Sequence, residues 1–412
     1  MPAPKTGQTC DGMKQIYPSS ITAPTFAEGG SVLDHRFGKG DPYTLGVEEE
    51  YMLLDPETFD LVQHIDTVLA ATAGHEYEPR VNAELMQSVL EIATPICKTA
   101  ADVDLELRKL RGYVCEIAHD QRLRVGSAGT HPFSLFERQQ ITARDRYRQL
   151  VDQLQYVARR ELIFGMHIHV AVDDPEKAIQ VVNGLLVHLS QLLALSASSP
   201  FWRGEATGLA SSRQMVFAAF PRSGPPPRFR NYADYAEVIG QLEKTGCIAD
   251  YTHIWWDVRL HPRLGTIEIR ICDAVTRVED AVALAAFCQS LVKLYSEQHD
   301  RGIEIPSYHR ILTSENKWLA ARYGLEAPVM DLATGRRNRI PVAQLIRRTL
   351  RSLEPHAREL GCERELEGIA EIMARGNGAD RQLRVFNANR DIHEVVSEIA
   401  DATEVAAAPA AG

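Results

Sequence analysis

The chain has no Cys-x-x-Cys pair, no Gly-x-x-x-x-Gly-Lys-Ser/Thr phosphate loop, no block of lysine and arginine, and no uninterrupted apolar run of membrane-spanning length. Each absence removes a class of function. The seven cysteines (Cys10, Cys97, Cys115, Cys247, Cys272, Cys288, Cys362) are scattered and odd in number, which excludes zinc-ribbon chemistry and suits reduced thiols better than a disulfide framework. Without a P-loop, any nucleotide must be held another way. A net charge of −10 with no basic cluster argues against a nucleic-acid partner. The longest apolar stretch, 184–197, is interrupted by His188, Ser190 and Gln191 and reads as a buried helix, so no membrane association is expected. No apolar segment follows the first seven residues, as a secretory signal would require, and the expected location is the cytoplasm.

There is also no internal repeat and no sharp change of composition. Residues 41–405 are therefore read as a single domain, preceded by a disordered N-terminal arm, 1–40, and followed by a flexible Ala/Pro tail, 406–412. With 412 residues, 45% of them hydrophobic, the chain can bury a large core.

What is present is acid in unusual places. In Tyr43–Asp55 a period of two puts Leu45, Val47, Tyr51 and Leu53 on one face and Gly46, Glu48, Glu50 and Met52 on the other. Two carboxylates on one strand face repel each other, and a divalent cation with oxygen ligands is a natural counter-charge. The plainer alternative is an exposed face with two solvated glutamates. Glu49 falls on the apolar side and is expected to reach an edge or pair locally.

Other segments repeat the design. The alternating piece that closes at Pro95 carries Glu91. Leu162–Val172 alternates Leu162, Phe164, Met166, Ile168 and Val170 against Gly165, His167 and His169. A hairpin is predicted over 254–273, turning at Pro262–Gly265, with Ile267, Ile269 and Ile271 inward and Thr266, Glu268, Arg270 and Cys272 outward. In its first strand Trp255, Asp257 and Arg259 oppose Trp256, Val258 and Leu260. Helices are predicted over about 102–121, 144–160, 174–198, 279–299, 307–323, 341–360, 363–375 and 389–403; Asp174 caps the third, with Pro175 at its first position. Residues 199–232 form a long loop with Arg213, Arg222, Arg228 and Arg230, enough charge to cover an anionic ligand, against the plainer reading of a solvated basic loop. The run Arg336–Arg339 reads as a solvated turn.

Four strands with one apolar and one chemical face favour an α+β fold: a mainly antiparallel sheet with helices on its apolar face and an open face suited to Mg2+ or Mn2+. The motifs Gly46-Val-Glu-Glu-Glu-Tyr51, Leu90-Glu-Ile-Ala-Thr-Pro95, Gly165-Met-His-Ile-His169, Trp255-Trp-Asp-Val-Arg259 and Thr266-Ile-Glu-Ile-Arg-Ile-Cys-Asp273 together resemble the second glutamate–cysteine ligase family of ATP-dependent carboxylate-amine ligases, over residues 42–385. The resemblance implies a curved, glutamine-synthetase-like sheet, ATP with Mg2+ or Mn2+, and ligation of the glutamate γ-carboxylate to an amine, cysteine first among them. It implies that Glu48, Glu50, Glu91 and Glu268 are metal ligands, with Glu84 a weaker match, and that His167 is a nucleotide- or metal-side residue. Arg213 joins His167 as a candidate for the nucleotide. Arg270 is the candidate catalytic group, holding a phosphate or the developing acyl-phosphate, against the alternative of a salt bridge. The wider group often has Asn where this chain has His169, whose role stays open. Members need not ligate cysteine well, so the physiological acid and amine are open too, as is a homo-oligomer.

Two rival readings use the same residues. His167-x-His169 suits a metal-dependent amidohydrolase, but that fold needs eight parallel strands separated by helices. A non-catalytic metal-binding protein would have to keep a costly cup of carboxylates with no reaction to serve.

Overall fold

The computed structural model describes residues 33–332, 334 and 338–405. Most of the predicted 1–40 arm, the 406–412 tail and part of the Arg336–Arg339 run lie outside them. Seven strands form the main sheet: β1 (Leu45–Leu54), β2 (Val81–Ala83), β3 (Val89–Ala93), β4 (Arg124–Gly126), β5 (Met166–Ala171), β6 (Val258–His261) and β7 (Thr266–Ile269). Their order is β6-β7-β5-β1-β3-β2, with β4 pairing the end of β1, and every pairing is antiparallel. This pattern excludes the parallel barrel of an amidohydrolase.

β1 lies at the centre, pairing β3, β4 and β5. Its inward residues Leu45, Val47, Tyr51 and Leu53 are buried with Met166, Ile168 and Val170 of β5 and Ile267 and Ile269 of β7. Helices cover this face. Ala100–Asp120 starts at a capping box in which Thr99 and Asp102 exchange side-chain-to-backbone hydrogen bonds at 3.1 and 2.9 Å. Pro175–Leu185 starts at the expected cap, Asp174 Oδ1 accepting from the Lys177 amide at 2.9 Å. Val278–Asp300 is buried along most of its length and packs on both. The run Pro175–Ser196 is long and apolar enough to cross a bilayer, but it is a core element interrupted by a turn at Leu186–His188.

Several details differ from the sequence reading. The sheet's other face is not open throughout: Met52 and Leu54, on the same side as Glu48 and Glu50, are buried in a second apolar cluster with Val396 and Ile399 of the helix Ile392–Thr403. The predicted helix over 144–160 breaks at Gln155 into Asp145–Leu154 and Tyr156–Arg159. The helix Gly378–Asn389 was not expected, because most of its buried positions are small or polar: Gly378, Ala379, Arg381 and Gln382. β7 ends at Ile269, so strict alternation stops and Cys272 enters the core instead of facing outward. Within the predicted arm, Arg36 N donates to Pro262 O at 2.9 Å and Phe37 is buried, so residues 36–38 pack on the β6–β7 turn.

Candidate functional site

The sheet register builds the site directly. Glu48 on β1 faces His167 on β5, His169 faces Glu268 on β7, and Glu50 faces Glu91 on β3. His167 Nδ1 lies 3.1 Å from Glu48 Oε2, His169 Nε2 lies 3.4 Å from Glu48 Oε1, and Glu50 Oε2 accepts the Gly165 amide at 2.6 Å. Glu268 is gripped by Arg259, whose Nε and Nη2 reach one of its oxygens at 2.7 and 2.6 Å, while Arg270 bonds the other.

All seven residues singled out from the sequence, Glu48, Glu50, Glu91, His167, Arg213, Glu268 and Arg270, line one cavity of about 330 Å³. Arg213 comes from the long loop, where residues Arg213–Phe217 form a short helix. Asp273, accepting from the hydroxyls of Ser199 and Ser211 at 2.7 and 2.9 Å, lies 3.8 Å from the Arg213 guanidinium. Gly165 leaves room for this guanidinium: a Cβ would fall 2.4 Å from Arg213 Nη2 and would displace it. Arg270 bridges the two sequence readings, since it pairs with Glu268 and still lines the cavity.

The cavity contains more than the sequence suggested. Glu84, a weaker match, lines it with Glu161, Arg146, Arg259 and His261. Arg259 was legible as part of the polar face of the first hairpin strand. Glu161 and Arg146 lie in a loop and a broken helix, where no period marks the side facing the cavity. Glu49 does not reach an edge. Besides its local hydrogen bond from Tyr51, it is buried in a two-point pair with Arg111, at 2.6 and 2.9 Å, beneath the cup.

Electrostatics divide the cup in two. Burial opposes charge on Glu48, but His169 and His167 outweigh it and hold the carboxyl well below its usual range. Glu268 is held low in the same way by Arg259 and Arg270 against its burial. On the other side burial, with the neighbouring Glu84, pushes Glu50 up to about 7. Burial followed by Glu84, Glu48 and Glu50 raises Glu91 well above the carboxylate range. Burial also raises Glu84, and pushes Glu161 up to about 8. His167 is depressed to about 4, mainly by burial and then by Arg270, so its imidazole is neutral at pH 7.

This donor chemistry fits divalent cations. Two sets have ligand atoms all within 4.8 Å of one another, Glu48 with His167 and Glu268, and Glu50 with Glu91 and His167. Oxygen-rich sets with one neutral imidazole suit Mg2+ or Mn2+, and protons on the Glu50 side are replaceable by such an ion.

The sequence profile described as glutamate-cysteine ligase family 2 matches residues 44–400. The chain belongs to that family. It is thereby a member of a group of ATP-dependent carbon–nitrogen ligases. Relatives include "Putative glutamate–cysteine ligase 2-1" of Rubrobacter xylanophilus, 43% identical over 366 residues, 89% of this chain and 96% of that one. The like-named "Putative glutamate–cysteine ligase 2" of Solibacter usitatus is 41% identical over 88% of this chain and 93% of that one. Among solved structures, glutamate–cysteine ligase from Francisella tularensis in complex with AMP superimposes with a TM-score of 0.64 at 12% identity, covering 90% of this chain and 91% of that one. A bifunctional glutathione synthetase from Pasteurella multocida gives 0.63 at 15% identity, with 88% of this chain matching 52% of that chain. At such identities the likeness is one of fold, and the fold is that of the glutamate–cysteine ligases. The family 2 match covers β1 through most of the helix Ile392–Thr403, so every residue of the cup falls within it.

Proposed function

We propose that the cup joins the γ-carboxylate of glutamate, or a similar acid, to an amine, cysteine being the first candidate, at the expense of ATP. The observation that carries this reading is the pair of carboxylate–imidazole sets sharing His167 in the cavity that also holds Arg213 and Arg270. Membership of the ligase family, the names of the relatives and the AMP in a structural neighbour support it.

A carboxylate is a poor electrophile, and its activation transfers the terminal phosphoryl group of ATP to one carboxylate oxygen, leaving ADP. The neutral amine then forms the C–N bond as the acyl–oxygen bond breaks, and a proton passes from nitrogen to the departing phosphate. Glu48, His167 and Glu268, and Glu50, Glu91 and His167, are the residues that would hold the divalent ions, which when bound neutralise phosphate charge. Arg270 meets charge developing on the transferred group, its guanidinium aimed by Glu268, whose other oxygen Arg259 holds. Arg213, kept in place by Asp273, supplies a second cation toward the nucleotide. The six described cysteines are free, consistent with a reducing, ATP-rich cytoplasmic setting.

ADP release with Mg2+ is the test. It is expected to require acid and amine together, and hydroxylamine is expected to trap the activated acid as a hydroxamate. Equal ADP release with acid alone and no hydroxamate would reduce the protein to an ATPase.

A further inference from the structure

The helix Gly378–Asn389 buries glycine, alanine and polar side chains where a packing helix would ordinarily bury large apolar ones. These groups act together on one short stretch of chain. The helix Leu189–Ser196 ends in front of them, and the carbonyls at its C-terminal end and just past it need donors from elsewhere. Asn377 caps the incoming helix through Oδ1, which accepts the Asp380 amide at 3.0 Å, while its Nδ2 donates to Ala194 O at 2.8 Å. The Ala379 amide donates to Ala197 O at 2.9 Å, and Gln382 Nε2 donates to Ser198 O at 2.7 Å. Gly378 lets the two segments come this close, since a Cβ there would fall 2.6 Å from that of Ser198.

The other side of that stretch leads to the cup. The Ser198 amide and the Ser199 hydroxyl donate to Asp273 Oδ2 at 3.0 and 2.7 Å. Ser199 Oγ in turn accepts the Arg213 amide at 3.1 Å, so one serine holds both the carboxylate beside the Arg213 guanidinium and the backbone from which that guanidinium extends. Ser198, Ser199, Asp273 and Gln382 are all buried. A close-packed interior transmits displacement, and a shift of Ser198 relative to the helix therefore moves Asp273 and Arg213 as well.

We infer that Gln382 is a positioning residue for Arg213, acting through Ser198, Ser199 and Asp273, and that the cup's affinity for ATP depends on it although it does not line the cavity. The inference rests on the reading of Arg213 as a cation toward the nucleotide and adds to it. It gives the C-terminal helix a part in the chemistry: the amide of Gln382 sets where the guanidinium stands.

The test titrates a non-hydrolysable ATP analogue with Mg2+ by calorimetry into the parent, Gln382→Met, Arg213→Met and the double variant. Arg213→Met is expected to weaken binding at least about tenfold, the scale of a hydrogen bond to a charged group. Gln382→Met fills the same space without a donor and leaves Ser198 O the long bond from the Gly129 amide, at 3.3 Å. It is expected to weaken binding by at least about threefold in the parent and by less than about 1.5-fold in the Arg213→Met background, where the group it acts through is gone. A merely structural glutamine gives a lower melting temperature with parent-like affinity, or an equal loss of affinity in both backgrounds, and either result overturns the assignment. Should Gln382→Met not fold, Ser199→Ala, one step nearer Arg213, completes the same cycle with the same outcomes. Equal binding by the parent and Arg213→Met overturns the inference at its base and leaves the ligase reading; no binding by the parent removes the ligase reading with it.

Discussion

Glu50 and Glu91 stand directly opposite each other on neighbouring antiparallel strands, a position where sheets ordinarily pair opposite charges or apolar groups. Both are raised by burial and by their acidic neighbours, Glu50 to about 7. A carboxyl raised above its unfolded value stabilises the fold below that value and loses this contribution as pH rises through the folded one. In ion-free protein Glu50 is therefore expected to contribute a loss of stability as pH rises from about 4.5 to 7, by at most about 1.4 kcal/mol per pH unit. Glu50→Gln is expected to flatten this slope and to abolish the stabilisation that Mg2+ and ATP give the parent. Melting curves across that range, with and without Mg2+–ATP, check both; an unchanged ligand effect in Glu50→Gln would remove Glu50 from the ion site.

Arg259 and Arg270 share Glu268 but differ in what else they hold. Arg259 also donates to the carbonyls of Thr252 and Ile254, both at 2.9 Å. Arg259→Ala is expected to lower stability by about 2–4 kcal/mol. Arg270→Ala leaves Glu268 paired and is expected to lower stability by no more than about 1–2 kcal/mol while turnover falls about 100-fold or more. Denaturant titration and steady-state rates on the same preparations decide it, and a large stability loss with proportionate activity loss in Arg270→Ala would make the arginine structural.

The Arg111–Glu49 pair is fully buried, and Arg111 also donates to the carbonyls of Thr276 and Val275, at 2.7 and 3.2 Å. Arg111→Met alone is expected to cost about 3–5 kcal/mol because Glu49 is stranded; adding Glu49→Leu is expected to recover much of it. A double-mutant cycle by urea unfolding measures the coupling.

The acid limb has a different source. His131 and His188 are each depressed to about 4, chiefly by burial. The unfolded chain takes up these protons near pH 6.5 and the folded one only near 4, so the histidines' contribution to stability falls as pH falls through that interval, by up to about 1.4 kcal/mol per unit for each, opposite in sign to that of Glu50. His188→Gln, which can still reach Tyr295, is expected to remove about half of this pair's contribution, read from melts between pH 4 and 7.

Much of the site was legible because strands alternate. Glu48, Glu50, Glu91, His167 and Glu268 needed only a period of two and the expectation that the apolar face is buried. Residues reaching the cup from irregular chain, Glu161 and Arg146, carry no such signal. The closure of one end of the cup was hidden for another reason: Met52 and Leu54 continue the polar face in sequence, and only the distant helix Ile392–Thr403 makes apolar residues appropriate there. Arg111 was invisible because an arginine on an amphipathic helix reads as solvated until its buried partner is known.

Three consecutive glutamates on β1 create an ambiguity for the folding chain. A strand displaced by one residue against β3 and β5 would still offer an acid to the cup, now Glu49, but would thrust Glu48 and Glu50 into the apolar layer. The two alignments differ in how many buried acids Arg111 would have to neutralise. Fixed on the helix Ala100–Asp120 and tied to the carbonyls of Val275 and Thr276, it can accept a single carboxylate beneath the sheet and only at the position of Glu49. The native register therefore buries one glutamate, paired, whereas the displaced one buries two and leaves one stranded in the apolar layer, and that uncompensated charge holds the strand in place.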